Sequence, residues 1–118
     1  MKPTTHAINS VKRYGGCIED YLPIHEWMDQ TKAAHPDMRH RAILHNSMGP
    51  YIATSVFGIH FTNSEDRLVD VRQIVEEHIL EDLGRIPTLS DFLELIPKTP
   101  EVMQKFAKFS STDKNILD

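Results

Sequence analysis

The clearest pattern of apolar and polar positions is a helical repeat over residues 70–87, DVRQIVEEHILEDLGRIP. Apolar side chains recur there at steps of three and four residues, which is the spacing of one helix face. These side chains are Val71, Ile74, Val75, Ile79 and Leu83. Gly84 is typical of the position just past a helix end, and Pro87 disfavours a restart before Thr88. The pattern predicts a helix that ends near Gly84 and buries one face.

Two ionisable residues interrupt this apolar face. At about 100° per residue, His78 and Asp82 project onto the middle of the stripe and not onto its rim. An unpaired ionisable group is strongly disfavoured in a protein core. We therefore expect both side chains to have partners inside the molecule.

Two helices are predicted near the start of the chain. Thr4 or Thr5 is expected to cap the first helix, which runs to about residue 14 and ends at Gly15-Gly16. The second helix, PIHEWMDQTKAAH, is expected to begin at Pro23 and to run to residue 34 or 35, since Pro36 follows.

A third, longer helix is predicted over residues 38–57, with Asp37 as its N-cap. Its apolar stripe consists of Leu44, Met48, Tyr51, Ile52 and Val56. Pro50 lies inside this stretch, so we expect a kink or a break near Met48-Gly49.

The period changes to that of strands after Gly58. The segments IHFT and RLVDV flank a turn-rich tetrapeptide and predict a small β-hairpin near residues 59–71. Two short helices are predicted beyond the 70–83 helix, DFLELI after a cap at Thr88 or Ser90, and a last one from Thr99-Pro100. The fold class is therefore mainly α, a compact domain of five to six helices spanning residues 1–118, with a tail that frays from about residue 110.

Polar groups also project onto the core sides of the other helices. On the third helix, Arg41 and His45 share a line with Met48 and Ile52, and His40 falls nearer the edge. On the second helix, His25-x-x-x-Asp29 repeats the spacing of His78 and Asp82. A pair at i and i+4 points both side chains the same way, so that it can grip one ion or orient one histidine.

These residues support three interpretations. They could form a purely structural network, because buried charges are usually paired. They could hold a divalent metal through His25, Asp29, His45, His78 and Asp82, and zinc, iron, manganese and nickel all suit such ligands. They could instead bind a small anionic ligand through Arg41, His40 and Arg39. The remaining histidines, His6, His35 and His60, are expected in loops or at element ends, facing solvent.

Composition narrows the function class. The chain has 118 residues, a hydrophobic share of 40% and a net charge of −4 with scattered basic residues, so we expect no nucleic-acid partner. Cys17 is the only cysteine, which excludes an intramolecular disulfide and fits a reducing compartment. No apolar run approaches the ~20 residues of a membrane span, and the N-terminus lacks a signal-peptide pattern. A cytoplasmic protein without a membrane partner is expected.

Several blocks in this chain resemble a known family. The segments YGGCIEDYLPIHEWMD, DMRHRAILHNSMG, VFGIHFTNS and VRQIVEEHILEDLGRIPTLSDFL are similar to small bacterial and phage proteins that share a domain of unknown function. The similarity covers residues 14–96, and Val75 and Glu77 depart from the expected Gly and Gln. The matching positions are His25, Asp29, Arg39, His40, Arg41, His45, His78, Glu81 and Asp82. The resemblance implies no activity.

Three hypotheses for function follow. The polar pocket could hold a metal whose bound water attacks a phosphoester, with Arg41 stabilising negative charge. It could capture a nucleotide-like anion without turnover, as a sequestering protein of phage type would. The protein could instead be a structural or interaction protein, such as a homo-oligomer, in which the polar groups only stabilise the fold.

Overall fold

Seven α-helices and one hairpin make up residues 1–107, the part of the chain that the computed structural model describes. The helices are α1 Pro3–Tyr14, α2 Ile18–Asp29, α3 Arg41–Leu44, α4 Met48–Phe57, α5 Val71–Leu83, α6 Leu89–Leu93 and α7 Pro100–Phe106. The strands β1 His60–Thr62 and β2 Leu68–Asp70 pair antiparallel, with Phe61 opposite Val69. The prediction of a mainly helical fold with one small hairpin is confirmed. The predicted frayed tail from residue 110 lies outside the described residues.

The core is built around α5, which packs against α1, α2, α4 and both strands. Its residues Val71, Ile74, Val75 and Ile79 are completely buried, as the helical repeat predicts. Gly84 ends the helix in the left-handed conformation, with φ of 77°, which glycine adopts without a steric penalty. The central helix of the fold therefore follows directly from its sequence pattern.

The first helix begins earlier than predicted. Lys2 is the N-cap residue and Pro3 occupies the first turn, whereas Thr4 and Thr5 lie inside the helix. Proline suits the first helical position because it has no N–H group to leave unpaired and its φ angle is already helical. The early start places His6 inside α1 on its buried side, so the prediction that His6 faces solvent is wrong.

The second helix also begins earlier than the predicted Pro23. It starts at Ile18 because Asp20 Oδ2 accepts a hydrogen bond from the backbone N–H of Cys17 at 2.8 Å. Pro23 therefore lies inside the helix. The helix gives way after Asp29 to a 3₁₀ turn, Gln30–Ala33.

The predicted long helix over residues 38–57 is broken. A 3₁₀ turn, Met38–His40, leads into α3, and Asp37 caps that turn by accepting a hydrogen bond from Arg39 N, as predicted. The break lies at residues 45–47, slightly before the predicted site, and Pro50 falls in the first turn of α4, where proline is tolerated. Only part of the predicted apolar stripe is buried, since Tyr51 and Val56 are 67% and 55% exposed.

No helix between residues 1 and 107 is both long enough and apolar enough to cross a bilayer.

Candidate functional site

Four donor atoms from three segments of the chain converge between α2, α3 and α5. They are Asp29 Oδ1 at the end of α2, His45 Nε2 just after α3, and His78 Nε2 and Asp82 Oδ2 on α5. These residues satisfy the distance requirement for a shared metal ion, because one donor atom from each lies within 4.8 Å of the others. The His-x-x-x-Asp spacing on α5 places both of its side chains on one helix face, as expected.

Four of the six separations between these donor atoms are close to those of a tetrahedral site. Ligands at 2.0–2.1 Å from a zinc ion would be about 3.3–3.4 Å apart along each edge of a regular tetrahedron. His78 Nε2 lies 3.3 Å from Asp29 Oδ1 and 3.3 Å from Asp82 Oδ2. His45 Nε2 lies 3.6 Å from Asp29 Oδ1 and 2.9 Å from Asp82 Oδ2. Small side-chain adjustments would equalise these edges around one ion.

The charges of the site also suit a divalent cation. Two carboxylates and two neutral imidazoles carry a total charge of −2, which one divalent ion balances. Asp29 Oδ2 and His45 Nδ1 are buried and have no hydrogen-bond partner among residues 1–107. The protein groups therefore satisfy the Asp29 carboxylate only in part, and a cation at Oδ1 would compensate its buried charge.

The electrostatics keep the two carboxylates ionised. Burial disfavours the charged form of Asp82, but hydrogen bonds from His45, His6 and His78 outweigh it and hold the pKa of this carboxyl far below its usual range. Asp29 follows the same pattern, with burial opposed by the hydrogen bond and the charge of His78, and its pKa is lowered. Both residues are thus in the form that ligates metals.

The buried histidines differ in the direction in which their pKa values are shifted. Burial, together with repulsion from His78 and His6, lowers the pKa of His25 to about 3, and burial also lowers the pKa of His45 despite the bond to Asp82. For His78, burial opposes protonation, but the hydrogen bonds to Asp29 and Asp82 outweigh it, and the pKa is raised. A cation at His78 Nε2 would therefore replace a proton between the two carboxylates.

His6 completes the buried cluster from α1. Its Nδ1 lies 2.6 Å from Glu81 Oε1, and its Nε2 lies 3.1 Å from Asp82 Oδ1. The ring stacks on His78 with a centroid distance of 3.7 Å, and Arg13 donates to Glu81 at 2.7 Å. His6 thus contacts Oδ1 of Asp82, and Oδ2 of the same carboxylate stays directed at the other donor atoms.

A second group of possible ligands, His6, His25 and His78, is less suited to a metal. His25 Nδ1 and His78 Nδ1 are only 2.9 Å apart, which is the distance of a hydrogen bond between them. Both nitrogens of His6 already face carboxylates. The group also has no carboxylate of its own to balance a cation, so we place the metal site at Asp29, His45, His78 and Asp82.

The three residues expected to bind an anion have three different partners. Arg39 is exposed and pairs with Asp37 at 2.7 Å. His40 is buried, and its Nδ1 lies 3.0 Å from Thr31 Oγ1. Arg41 approaches the cluster, with its guanidinium 4.0 Å from Asp82 Oδ1. His35 and His60 are at least partly exposed, and the metal-ligand distances above involve neither of them.

Sequence reasoning missed His6 as a member of the cluster. The signal that could have identified it is Pro3, because proline is favoured in the first turn of a helix and so indicates an earlier start of α1. With that start, His6 lies one turn into the helix. Ser10, one turn further along the same side, is also buried. Glu81, which the family resemblance had included, contacts His6 directly.

Residues 1–103 match the model of a family described as Domain of unknown function (DUF6915). The chain belongs to this family. The match extends beyond the predicted residues 14–96 at both ends and includes α1, which carries His6 and Ser10. No curated protein and no solved structure matches the chain.

Proposed function

We propose that this family member binds one divalent transition-metal ion through Asp29, His45, His78 and Asp82. The observation that carries the proposal is the convergence of four donor atoms from three separate segments, with distances of 2.9–3.6 Å from the two histidine nitrogens to the two carboxylate oxygens. Zinc is the first candidate, because it favours four-coordinate tetrahedral sites with nitrogen and oxygen donors. Iron, manganese and nickel share these donor types and are the alternatives.

The burial of the donors supports a structural metal over a hydrolytic one. The side chains of His45 and His78 are 0% exposed, and those of Asp82 and Asp29 are 2% and 9% exposed. Structural zinc sites have four protein ligands, whereas catalytic sites keep a position open for water or substrate. We therefore propose that the ion joins α2, α3 and α5, and we do not assign it a hydrolytic reaction.

The geometry gives less support to anion capture. Arg41, His40 and Arg39 contact three different partners, so they do not form one anion-binding face. A small anionic ligand would meet only Arg41 near the buried carboxylate of Asp82, which repels it.

Elemental analysis of untagged protein tests the proposal. After chelator treatment and reloading with Zn²⁺, we expect about one ion per chain, as a single four-ligand site requires. Asp82→Asn and His45→Ala should lose the ion, because each removes one donor. His60→Ala is the matched control, since it removes an exposed histidine outside the cluster.

The opposite result would retire the proposal. If the wild-type protein, reloaded in turn with Zn²⁺, Fe²⁺, Mn²⁺ and Ni²⁺, retains none of them, and Asp82→Asn and His45→Ala are only less stable, the cluster is a structural hydrogen-bond network alone. Thermal unfolding of the same samples measures that stability loss.

A further inference from the structure

We infer that Ser10 and His25 are positioning residues that orient His78 and select its tautomer for the metal. The inference rests on the proposed function, because it concerns how His78 Nε2 becomes available as a ligand. It also removes His25 from the ligand set predicted from the sequence. Ser10 and His25 are each 1% exposed, and they form a continuous chain of hydrogen bonds to His78.

The chain of hydrogen bonds begins at His78, a proposed metal ligand. An imidazole that binds a metal through Nε2 carries its proton on Nδ1, and a neighbouring acceptor usually holds that N–H group. In this protein the neighbour of His78 Nδ1 is His25 Nδ1, at 2.9 Å. His78 therefore donates, and His25 Nδ1 must be an unprotonated acceptor.

The second step fixes the tautomer of His25. A neutral imidazole with an unprotonated Nδ1 carries its proton on Nε2. His25 Nε2 lies 2.9 Å from Ser10 Oγ, so its N–H group donates to the hydroxyl oxygen. Burial and the neighbouring histidines favour this neutral form of His25.

The third step accounts for the hydroxyl proton. Ser10 Oγ lies 3.2 Å from the backbone carbonyl oxygen of His6, one turn earlier in α1, and the hydroxyl group donates to it. Ser10 can therefore accept from His25 without leaving its own proton unpaired. Each polar hydrogen of the chain Ser10–His25–His78 then has an acceptor when His78 Nε2 binds the metal.

This arrangement also explains why α1 belongs to the metal site although it supplies no ligand. Ser10 anchors His25, which contacts His78 Nδ1, and the His6 ring stacks on the His78 ring at a centroid distance of 3.7 Å. The His78 ring can then neither flip nor tilt without breaking one of these contacts. Its Nε2 stays directed at Asp29 and Asp82.

Nitrogen NMR on Zn²⁺-loaded protein tests the assignment directly, because Zn²⁺ is diamagnetic. Two-bond ¹⁵N–¹H spectra of the histidine rings should show His78 protonated at Nδ1 and metal-bound at Nε2. His25 should be protonated at Nε2, with an unprotonated Nδ1 that accepts a hydrogen bond and binds no metal. A metal-bound Nδ1 on His25, or a proton at that nitrogen, would overturn the inference.

Zn²⁺ affinity, measured by competition with a chromophoric chelator, provides the second readout. His25→Leu should weaken Zn²⁺ binding by about 10–100-fold, the usual loss when the partner of a metal-bound histidine is removed. His25→Asn should recover part of that loss, because its amide oxygen can accept near the position of Nδ1. Val69→Ala is the control for a general packing effect, because it removes buried apolar contacts in β2 and none of the hydrogen bonds that link Ser10, His25 and His78.

The outcomes separate the two proposals. If the wild-type protein binds none of the four candidate metals, the proposed function fails and the inference fails with it. If the wild type binds Zn²⁺ and His25→Leu binds it with unchanged affinity, only the inference fails. Equal losses in His25→Leu, His25→Asn and Val69→Ala would show a general packing effect and would also overturn the inference.

Discussion

His78 is the side chain through which the groups of the buried cluster are connected. Its Nε2 lies 3.3 Å from both Asp29 Oδ1 and Asp82 Oδ2, its Nδ1 lies 2.9 Å from His25, and its ring stacks on His6. Removing one partner of a buried charged pair leaves the other charge uncompensated, and this typically costs about 3–5 kcal/mol. We therefore expect the cluster to stabilise the fold whether or not a metal is bound.

We expect His78→Ala to lower the free energy of unfolding by about 3–5 kcal/mol in the presence of a chelator, because two carboxylates lose their shared partner. Urea unfolding at neutral pH measures the change. His78→Gln should recover part of the loss, since its amide can still donate to one carboxylate. His60→Ala should change the value by less than about 0.5 kcal/mol, as exposed substitutions usually do. A His78→Ala protein as stable as His60→Ala would contradict the prediction that His78 stabilises the fold through the two carboxylates.

At the residue scale, the sequence predicted burial well where helical geometry alone determines which side chains face the core. The 100° step places His78 and Asp82 on the buried face of α5, and both side chains are buried in the structure. His6 was missed because its environment depends on where α1 begins, and a shift of a few residues at a helix end turns a terminal residue into an interior one.

At the scale of elements, Asp20 joins the start of α2 to the hairpin. Its carboxylate accepts hydrogen bonds from Cys17 N at 2.8 Å, Ser64 N at 3.0 Å and Ser64 Oγ at 2.7 Å. These bonds, led by the backbone bonds from Cys17 and Ser64, lower the pKa of Asp20 to about 2. The ionised carboxylate therefore stabilises the folded state more than the unfolded state.

The sign of the pH dependence follows from this depressed pKa. The contribution of Asp20 is fully present above about pH 4, the unfolded-state pKa, and is lost as the pH falls towards 2. We expect Asp20→Asn to be less stable than wild type at pH 6 and the difference to shrink progressively between pH 4 and pH 2. Urea unfolding across this range measures it. A deficit of Asp20→Asn that stays constant across this pH range would refute the link.

Helix boundaries were the least predictable feature, because side-chain hydrogen bonds compete with periodicity. The break between α3 and α4 is held by Asn46, whose amide donates to Ala42 O at 2.9 Å and whose oxygen accepts from Met48 N at 2.8 Å. Gly49 is required at this joint, since a Cβ atom there would lie 1.9 Å from Leu44 O. In the sequence, Pro50 predicted that the helix is broken, but Asn46 and Gly49 determine where the break lies.

At the scale of the whole molecule, periodicity shows which side chains share a face but not which faces meet. His25 and Asp29 lay beside the apolar stripe of their helix, yet both reach the cluster because α2 packs directly against α5. Pairing of distant segments depends on the complete fold. The sequence could therefore nominate the polar residues, but only the structure separates Asp29, the proposed ligand, from His25, the proposed support.

Because the proposed metal ligands come from three different helices, Zn²⁺ should stabilise the part of the fold that contains these helices. The proposed ligands belong to α2, the end of α3 and α5, whereas α6 and α7 contain no buried residue. A ligand that binds only the folded state stabilises it by RT ln(1 + [L]/Kd), about 2.7 kcal/mol at a hundredfold excess over Kd. Amides that exchange only when the core opens gain this protection, whereas amides that exchange by local opening do not.

We therefore expect Zn²⁺ to slow hydrogen exchange in α2 and α5 by up to about 100-fold at a hundredfold excess over Kd, with little change in α6 and α7. Exchange measured by mass spectrometry with and without Zn²⁺ tests this. Asp82→Asn is the control, because it should lose the effect while it keeps the same helices. Equal slowing in α7 and α5, or slowing that persists in Asp82→Asn, would mean that Zn²⁺ binds elsewhere and does not join the three helices.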